Sequence, residues 1–425
     1  MKEKIFKMKS RFKIEILLFL IIIISILHSQ LSATDIIIDK SGSITSINQA
    51  LRLCQSGDRL IVKKGYYKER DIEINKSVQI IGENFPVVDA EFKSGLFHIK
   101  ANGVRIEGLI IKNSAISFVA EYAGIKIDSA KNCVIKGNKI LYNYFAIYIA
   151  FGADCIIENN TIVGRQSRSE TTSGNGVHLW YSKNITISNN KISKQRDGIY
   201  LEFSENSTIQ NNISEDNLRY GLHFMFSHRC VYKGNTFRRN VGGVAVMYTK
   251  FIQMYNNKFE NNWGPASYGL LLKDINDSEI KYNTFHENST AIYLENSMRV
   301  KLERNNIIDN GWAVKIKSNS TDNDFVNNNF INNTFDVSTG SKHNYITFRK
   351  NYWSKYSGYD LNHDGYGDVP YKPVGLFSAI IENNSPAMVL LRSLFIQILE
   401  VTEKVVPAIT PINLEDVQPL MRRVK

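Results

Sequence analysis

Proline is scarce in this chain, with eight in 425 residues, and nothing in the composition resembles a collagen or a disordered tract: hydrophobics make up 43% and charged residues 22%. No basic run interleaved with aromatics is present, so the net charge of +11 gives no case for a nucleic-acid partner. Phosphate-loop, dinucleotide and Ser-His-Asp signatures are absent, and no pair of carboxylates stands beside an Arg or Lys. Long apolar runs are lacking too. The longest, Ile16–Leu27, is twelve residues and too short for an ordinary membrane span.

What is abundant is asparagine, 44 residues interleaved with Ile, Val and Phe. Much Asn with little Pro implies many turns within a regular architecture. Length alone would suggest two or three domains, a prior that fails for repeat proteins.

The start of the chain is basic over residues 2–13, then apolar, then small at Ser29, Ser32 and Ala33. That order describes an export signal over residues 1–33, with an uncleaved anchor as the alternative. No Cys follows the apolar run, which argues against a lipoprotein. The leader holds six basic and two acidic residues, so +4 of the +11 belongs to it and about +7 to the rest.

From about residue 100 the sequence repeats. The phrase apolar-x-apolar-x-x-Asn ends at Asn138, Asn160, Asn190, Asn212, Asn235, Asn257, Asn283 and Asn306. A second phrase, small-apolar-x-apolar, starts at Gly124, Ala146, Gly176, Gly198, Gly221, Gly243, Gly269, Ala291 and Ala313. Its starts are spaced 22, 30, 22, 23, 22, 26, 22 and 22 residues apart. Both phrases alternate with period two, so each coil supplies two short strands that only stacking can bury. The expected fold is all-β, a right-handed parallel β-helix of about 22-residue coils. The recurrent Asn accepts the left-handed turn conformation and bonds to the Asn of the next coil in a structural ladder. Residues 34–100 are expected to hold a cap and first coils, with a short helix over 44–55. Residues 101–350 form the repeats, 351–374 a loop block, and 375–425 a helical tail. That tail should contain one amphipathic helix from Ser385 to Val406, with Leu391, Leu394, Phe395, Ile398 and Leu399 on a shared face.

Of the four cysteines, Cys133, Cys155 and Cys230 fall in one inward column and Cys54 lies in the cap. Core filling is the favoured role, and a Cys133–Cys155 disulfide the alternative. In the second phrase the third and fifth residues should face out. The third column reads His178, Tyr200, His223, Ala245, and the fifth Trp180, Glu202, Met225, Met247. Met225 and Met247 lie one coil apart, with His223 two residues from Met225. Thioether plus imidazole suits Cu(I) and is poor for Mg or Ca. His178, two coils from His223, is at best an outer or transfer residue. The competing explanation is an apolar stripe covered by a loop or a partner.

A second constellation is Asp360, Asn362, Asp364, Tyr366 (through its carbonyl) and Asp368, the first half of a calcium loop. Its twelfth place is Tyr371, not Glu, and a tight Asx-rich turn is the alternative. For an enzyme, Glu202 with Arg196 and Asp197 is the best trio, while Asp128 and Glu295 sit on other coils.

GDRLIVKKGYYKE, QIIGENFPVVDA, RDGIYLEFS, RYGLHFMFS, YGLLLKD and NYWSKYSGYDLNHDGYGDVPYKPV together resemble the NosD family, from about residue 34 to the C-terminus. The resemblance implies a non-enzymatic periplasmic protein that serves copper-centre maturation of nitrous oxide reductase. It implies partners as well: the permease and ATPase of an ABC transporter, a copper-chaperone lipoprotein and the apo-reductase. His223 and Met225 lie in the shared RYGLHFM phrase, and Met247 matches a recurring position. The other class of reading is a carbohydrate-active β-helix, whether lyase, hydrolase or binder.

Overall fold

Each coil is built from three strands, not two. In the computed structural model, which describes residues 33–165, 169–317, 319–339, 345–406, 409 and 414–424, one coil runs through Tyr220–Met225, Val231–Lys233 and Thr236–Arg238. The third strand is three residues long and buries a single apolar side chain, here Phe237. Pairing between coils is parallel throughout, giving a 13-stranded sheet and a 25-stranded sheet, hence about 13 turns. The larger sheet is two columns of strands joined at a corner by the continuous strand Leu270–Lys281. The chain is therefore a parallel β-helix whose interior is filled by Ile, Leu, Val and Phe.

Small residues open the second phrase because coils approach closely there. A Cβ at Gly243 would lie 2.4 Å from the carbonyl oxygen of Gly269 on the next coil. The Asn ladder is present and runs in one direction. From Asn138 through Asn160, Asn190, Asn212, Asn235, Asn257, Asn283, Asn305 and Asn328 to Asn351, each side-chain amide donates to the next side-chain oxygen at 3.0–3.2 Å. The left-handed conformation falls one position earlier than expected, at Gly137, Asn159, Asn189, Asn211, Gly234 and Asn256. A ladder Asn must point inward from a strand edge, so its predecessor makes the turn.

The N-terminal helix is α1, Ile47–Leu53, capped by Ser46, whose side chain accepts from the Gln49 amide. All four cysteines are buried free thiols. The tail departs from the expected single helix. It forms α2 (Leu376–Asn383), a 3₁₀ turn (Ser385–Leu390) and α3 (Leu394–Val405), the last capped by Ser393 rather than Ser385. The expected face is divided as well. Ile396 is buried, and Leu391 and Leu399 pack with it against Trp312, Phe335, Phe377 and Ile381 at the end of the solenoid. Leu394, Phe395 and Ile398 face solvent beside Val401 and Val405. Segment 414–424 then returns to the last coils, where Asp416 terminates the ladder.

Candidate functional site

The outward face of one strand column carries the site. Its strands are β1 (Phe145–Ala150), β2 (Val177–Trp180), β3 (Ile199–Glu202), β4 (Tyr220–Met225) and β5 (Gly242–Lys250). Register pairs Tyr148 with His178, His178 with Tyr200, Tyr200 with His223 and His223 with Ala245. In the neighbouring column Trp180 pairs with Glu202, Glu202 with Met225 and Met225 with Met247. Met225 and Met247 are thus side by side, about 4.8 Å apart along the axis.

The expectation of two exposed columns is half right. Both point away from the core, but the third-position column is buried, with His178 at 4% and His223 at 5% exposure. Rings cover one another along it. His178 meets Tyr148 and Tyr200 at centroid distances of 4.8 and 4.7 Å, and His223 meets Tyr200 and Tyr220 at 4.8 and 5.0 Å. The fifth-position residues Trp180, Glu202, Met225 and Met247 are half-buried.

Beneath His223 lies an ion pair that sequence reading did not assemble. Asp197, fully buried, is gripped by both arms of Arg219, with Nε at 2.8 Å from Oδ1. Burial alone would raise the Asp197 carboxyl, but hydrogen bonds and charge from Arg219 and His223 bring it down to about 2. Nδ1 of His223 lies 3.3 Å from the Arg219 guanidinium and 3.6 Å from Asp197, while its Nε2 is buried without a partner. Nδ1 of His178 faces the Asn175 amide at 3.3 Å, and its Nε2 is likewise unpartnered. Burial, with Arg196 nearby, lowers the His178 imidazole to about 3 and keeps it neutral. The Tyr200 hydroxyl donates to Met225 Sδ at 3.5 Å.

Of the enzyme trio only Arg196 and Asp197 come together, with Nε 3.9 Å from Oδ2. Asp197 is committed to Arg219, and Glu202 stands five residues further along the extended chain, roughly 15 Å by strand rise. That exceeds the separations of about 5–9.5 Å used by paired glycosidase carboxylates. The Asp360–Asp368 loop is exposed, and its side chains cap its own amides. Asp360 accepts from Asp364 and Gly365 at 3.1 and 2.9 Å, Asn362 and Asp364 accept within the turn, and Asp368 accepts from Leu361. Tyr371, at the twelfth place, instead donates to Asp336 at 2.7 Å. Among the described residues no group of three His, Cys, Asp or Glu could hold a metal ion, and that includes this loop.

Sequence reading also missed an exposed row of rings. Phe151, Tyr181, Phe203, Phe226 and Tyr248 each follow a fifth-position residue and stack at 5.7, 4.7, 5.1 and 5.0 Å. Their spacing of 30, 22, 23 and 22 residues repeats the coil intervals, and that was the available signal.

Residues 164–362, which contain both Met and both His of the face, match the family described as NosD, periplasmic copper-binding protein. A relative from Pseudomonas aeruginosa, named probable ABC transporter binding protein NosD, is 28% identical over 359 residues, covering 79% of this chain and 82% of the relative. One of the same name from Stutzerimonas stutzeri is 25% identical, covering 82% and 84%. Over these residues the chain resembles the NosD family. The Dettilon tailspike protein is a solved structure similar to this chain. It has a TM-score of 0.59 and 15% identity, covers 73% of this chain and 70% of its own, and shows the shared fold alone. The family description places NosD proteins in the periplasm. Among the described residues of this chain no helix is long and apolar enough to cross a membrane. Its expected leader, 1–33, lies outside the described residues except for Ala33.

Proposed function

We propose that this chain is a non-enzymatic periplasmic accessory protein that takes up and hands on Cu(I) for copper-centre assembly of nitrous oxide reductase, while docked on an ABC transporter. The observation that carries the reading is the register pair Met225–Met247 beside His223, whose Nε2 is buried and unpartnered. Two thioethers and one imidazole form a soft donor set, and the copper here is cargo. His223 is covered while the two methionines are half-exposed, so copper enters at the sulfurs and reaches the imidazole second. His178 lies two coils away with Tyr200 between, outside the ligand set. Calcium has no part in this reading.

The relatives' names support a transporter partner. The exposed row Leu394, Phe395, Ile398, Val401 and Val405 on α3 is the surface we assign to the permease. The ATPase would act through that permease. The copper-chaperone lipoprotein and the apo-reductase would meet the chain at the methionine face.

Competition titration against a chromogenic Cu(I) chelator tests the site. The wild-type chain should withdraw about one Cu(I), and the double variant His223→Ala, Met225→Ala should withdraw none. Full affinity in the double variant would remove these residues from the site. New reducing ends or unsaturated products from acidic polysaccharides would instead favour a carbohydrate-active protein.

A further inference from the structure

One turn of the coil is occupied against conformational preference. The residue after the fifth-position column is left-handed in eight successive coils, at Ser129, Phe151, Tyr181, Phe203, Phe226, Tyr248, Asp274 and Asn296, with φ between 45° and 56°. Small polar residues suit that conformation, and the first and the last two coils use them. The five coils between use bulky aromatics that are 37–50% exposed. These are the coils that carry Ala150, Trp180, Glu202, Met225 and Met247 in the adjoining column. Stacking returns part of the conformational cost but does not require the rings to be exposed.

The stack also determines what it offers. Neighbouring rings lie within 5–20° of parallel, so they hide one another's faces and present edges to solvent. Sugars stack on ring faces, and these are hidden. Thioether sulfur favours ring edges, at about 5 Å from the ring. A ridge of edges beside two methionines therefore fits a polypeptide that also carries methionine.

We propose that the ridge Phe151–Tyr181–Phe203–Phe226–Tyr248 is the docking track for a methionine-bearing segment of a copper-carrying protein, held there so that its sulfurs exchange Cu(I) with Met225 and Met247. The inference rests on the copper-cargo reading. In the exchange a Cu–S bond to the partner breaks as one to Met225 or Met247 forms, with no change of oxidation state and no proton released.

The probe is a synthetic methionine-rich peptide, with and without Cu(I), alongside the same peptide carrying norleucine at every methionine. Calorimetry on the full chain should show the methionine peptide binding and the norleucine peptide binding about tenfold more weakly. Phe203→Asn with Phe226→Asn places the residue of the Asn296 coil at the same turn, so the coil geometry is kept. This variant should lose at least about tenfold in peptide affinity while its Cu(I) affinity and melting are unchanged. Met225→Ala with Met247→Ala should lose copper yet hold the copper-free peptide. Equal affinity for both peptides, or unchanged peptide affinity in the asparagine variant, overturns the track. So does an acidic oligosaccharide whose binding is lost in that variant. If the wild-type chain takes up no Cu(I) but discriminates the two peptides through these rings, the copper site fails and the track stands.

Discussion

Asp416→Asn changes one atom and should loosen one end of the molecule. The ladder donates toward the C-terminus, so its last amide needs a partner that only accepts, and an ionised carboxylate is that. Oδ2 of Asp416 accepts from the Asn351 backbone and side chain at 3.0 Å each and from Trp353 Nε1 at 3.1 Å. Oδ1 accepts from the amides of Lys350 and Gln418 at 3.1 and 3.2 Å. An asparagine amide has one oxygen. Its better orientation keeps the three-donor cluster and turns NH₂ toward two backbone N–H groups. Leaving two part-buried donors unmet costs about 1 kcal/mol each, and the other three bonds lose their charge assistance, so the end coils should weaken by about 3–6 kcal/mol. No cavity opens, because the side chains are isosteric. Coils of a solenoid contact only their neighbours, so the loss should stay local. Amide exchange read by mass spectrometry should rise about 10²–10⁴-fold across residues 323–353 and stay unchanged across 138–260. Protection within threefold of wild type over 323–353 would refute the acceptor-only argument.

Three further outcomes follow from the same geometry. His178 is neutral when folded, with a pKa of about 3 against 6.5 unfolded, so only the unfolded chain gains its proton between those values. Stability should fall as pH drops from 6.5 toward 3, and His178→Phe should flatten that part of the curve in an acid titration followed by circular dichroism. Phe395→Asp with Ile398→Asp should abolish co-purification with the permease without changing the melt of the solenoid, since both side chains face solvent. Four thiols should react with a thiol reagent in denaturant and none before it; a count of two would mean a Cys133–Cys155 bond.

The coil was legible because its signals recur every 22 residues and each follows from one strand or one turn. The ladder was legible for the same reason, except at the phrase ending at Asn306, which is one residue out of register: Asn305 carries the ladder there. Its turn was displaced by one residue because Asn stands at both places, as at Asn159–Asn160 and Asn189–Asn190, and composition alone does not separate the two tasks. Alternation reports which way a side chain leaves the sheet and says nothing of what covers it. His178 is hidden by Tyr148 and Tyr200, and His223 by Tyr200 as well as its near neighbour Tyr220, and no local pattern records the rings from other coils. The Asp197–Arg219 pair joins adjacent coils, and its partners look unrelated until the register is known. In the tail, Leu391 and Leu399 read as one face with Leu394, Phe395 and Ile398, and Ile396 is not among them. Packing on the solenoid end separates them and starts the last helix afresh at Ser393.

The one-way run of amides from Asn138 to Asn351 makes completion of the fold depend on the order in which the chain appears. Coils that emerge amino-terminus first stack as they arrive, each new Asn supplying the oxygen its predecessor awaits. The last amide has no taker until residue 416 arrives, 65 residues later. A chain cut short of that point would keep nearly every coil and still leave Asn351 and Trp353 with unanswered donors, a frayed end that opens locally. Asp416 thus closes a ladder that the preceding coils leave open.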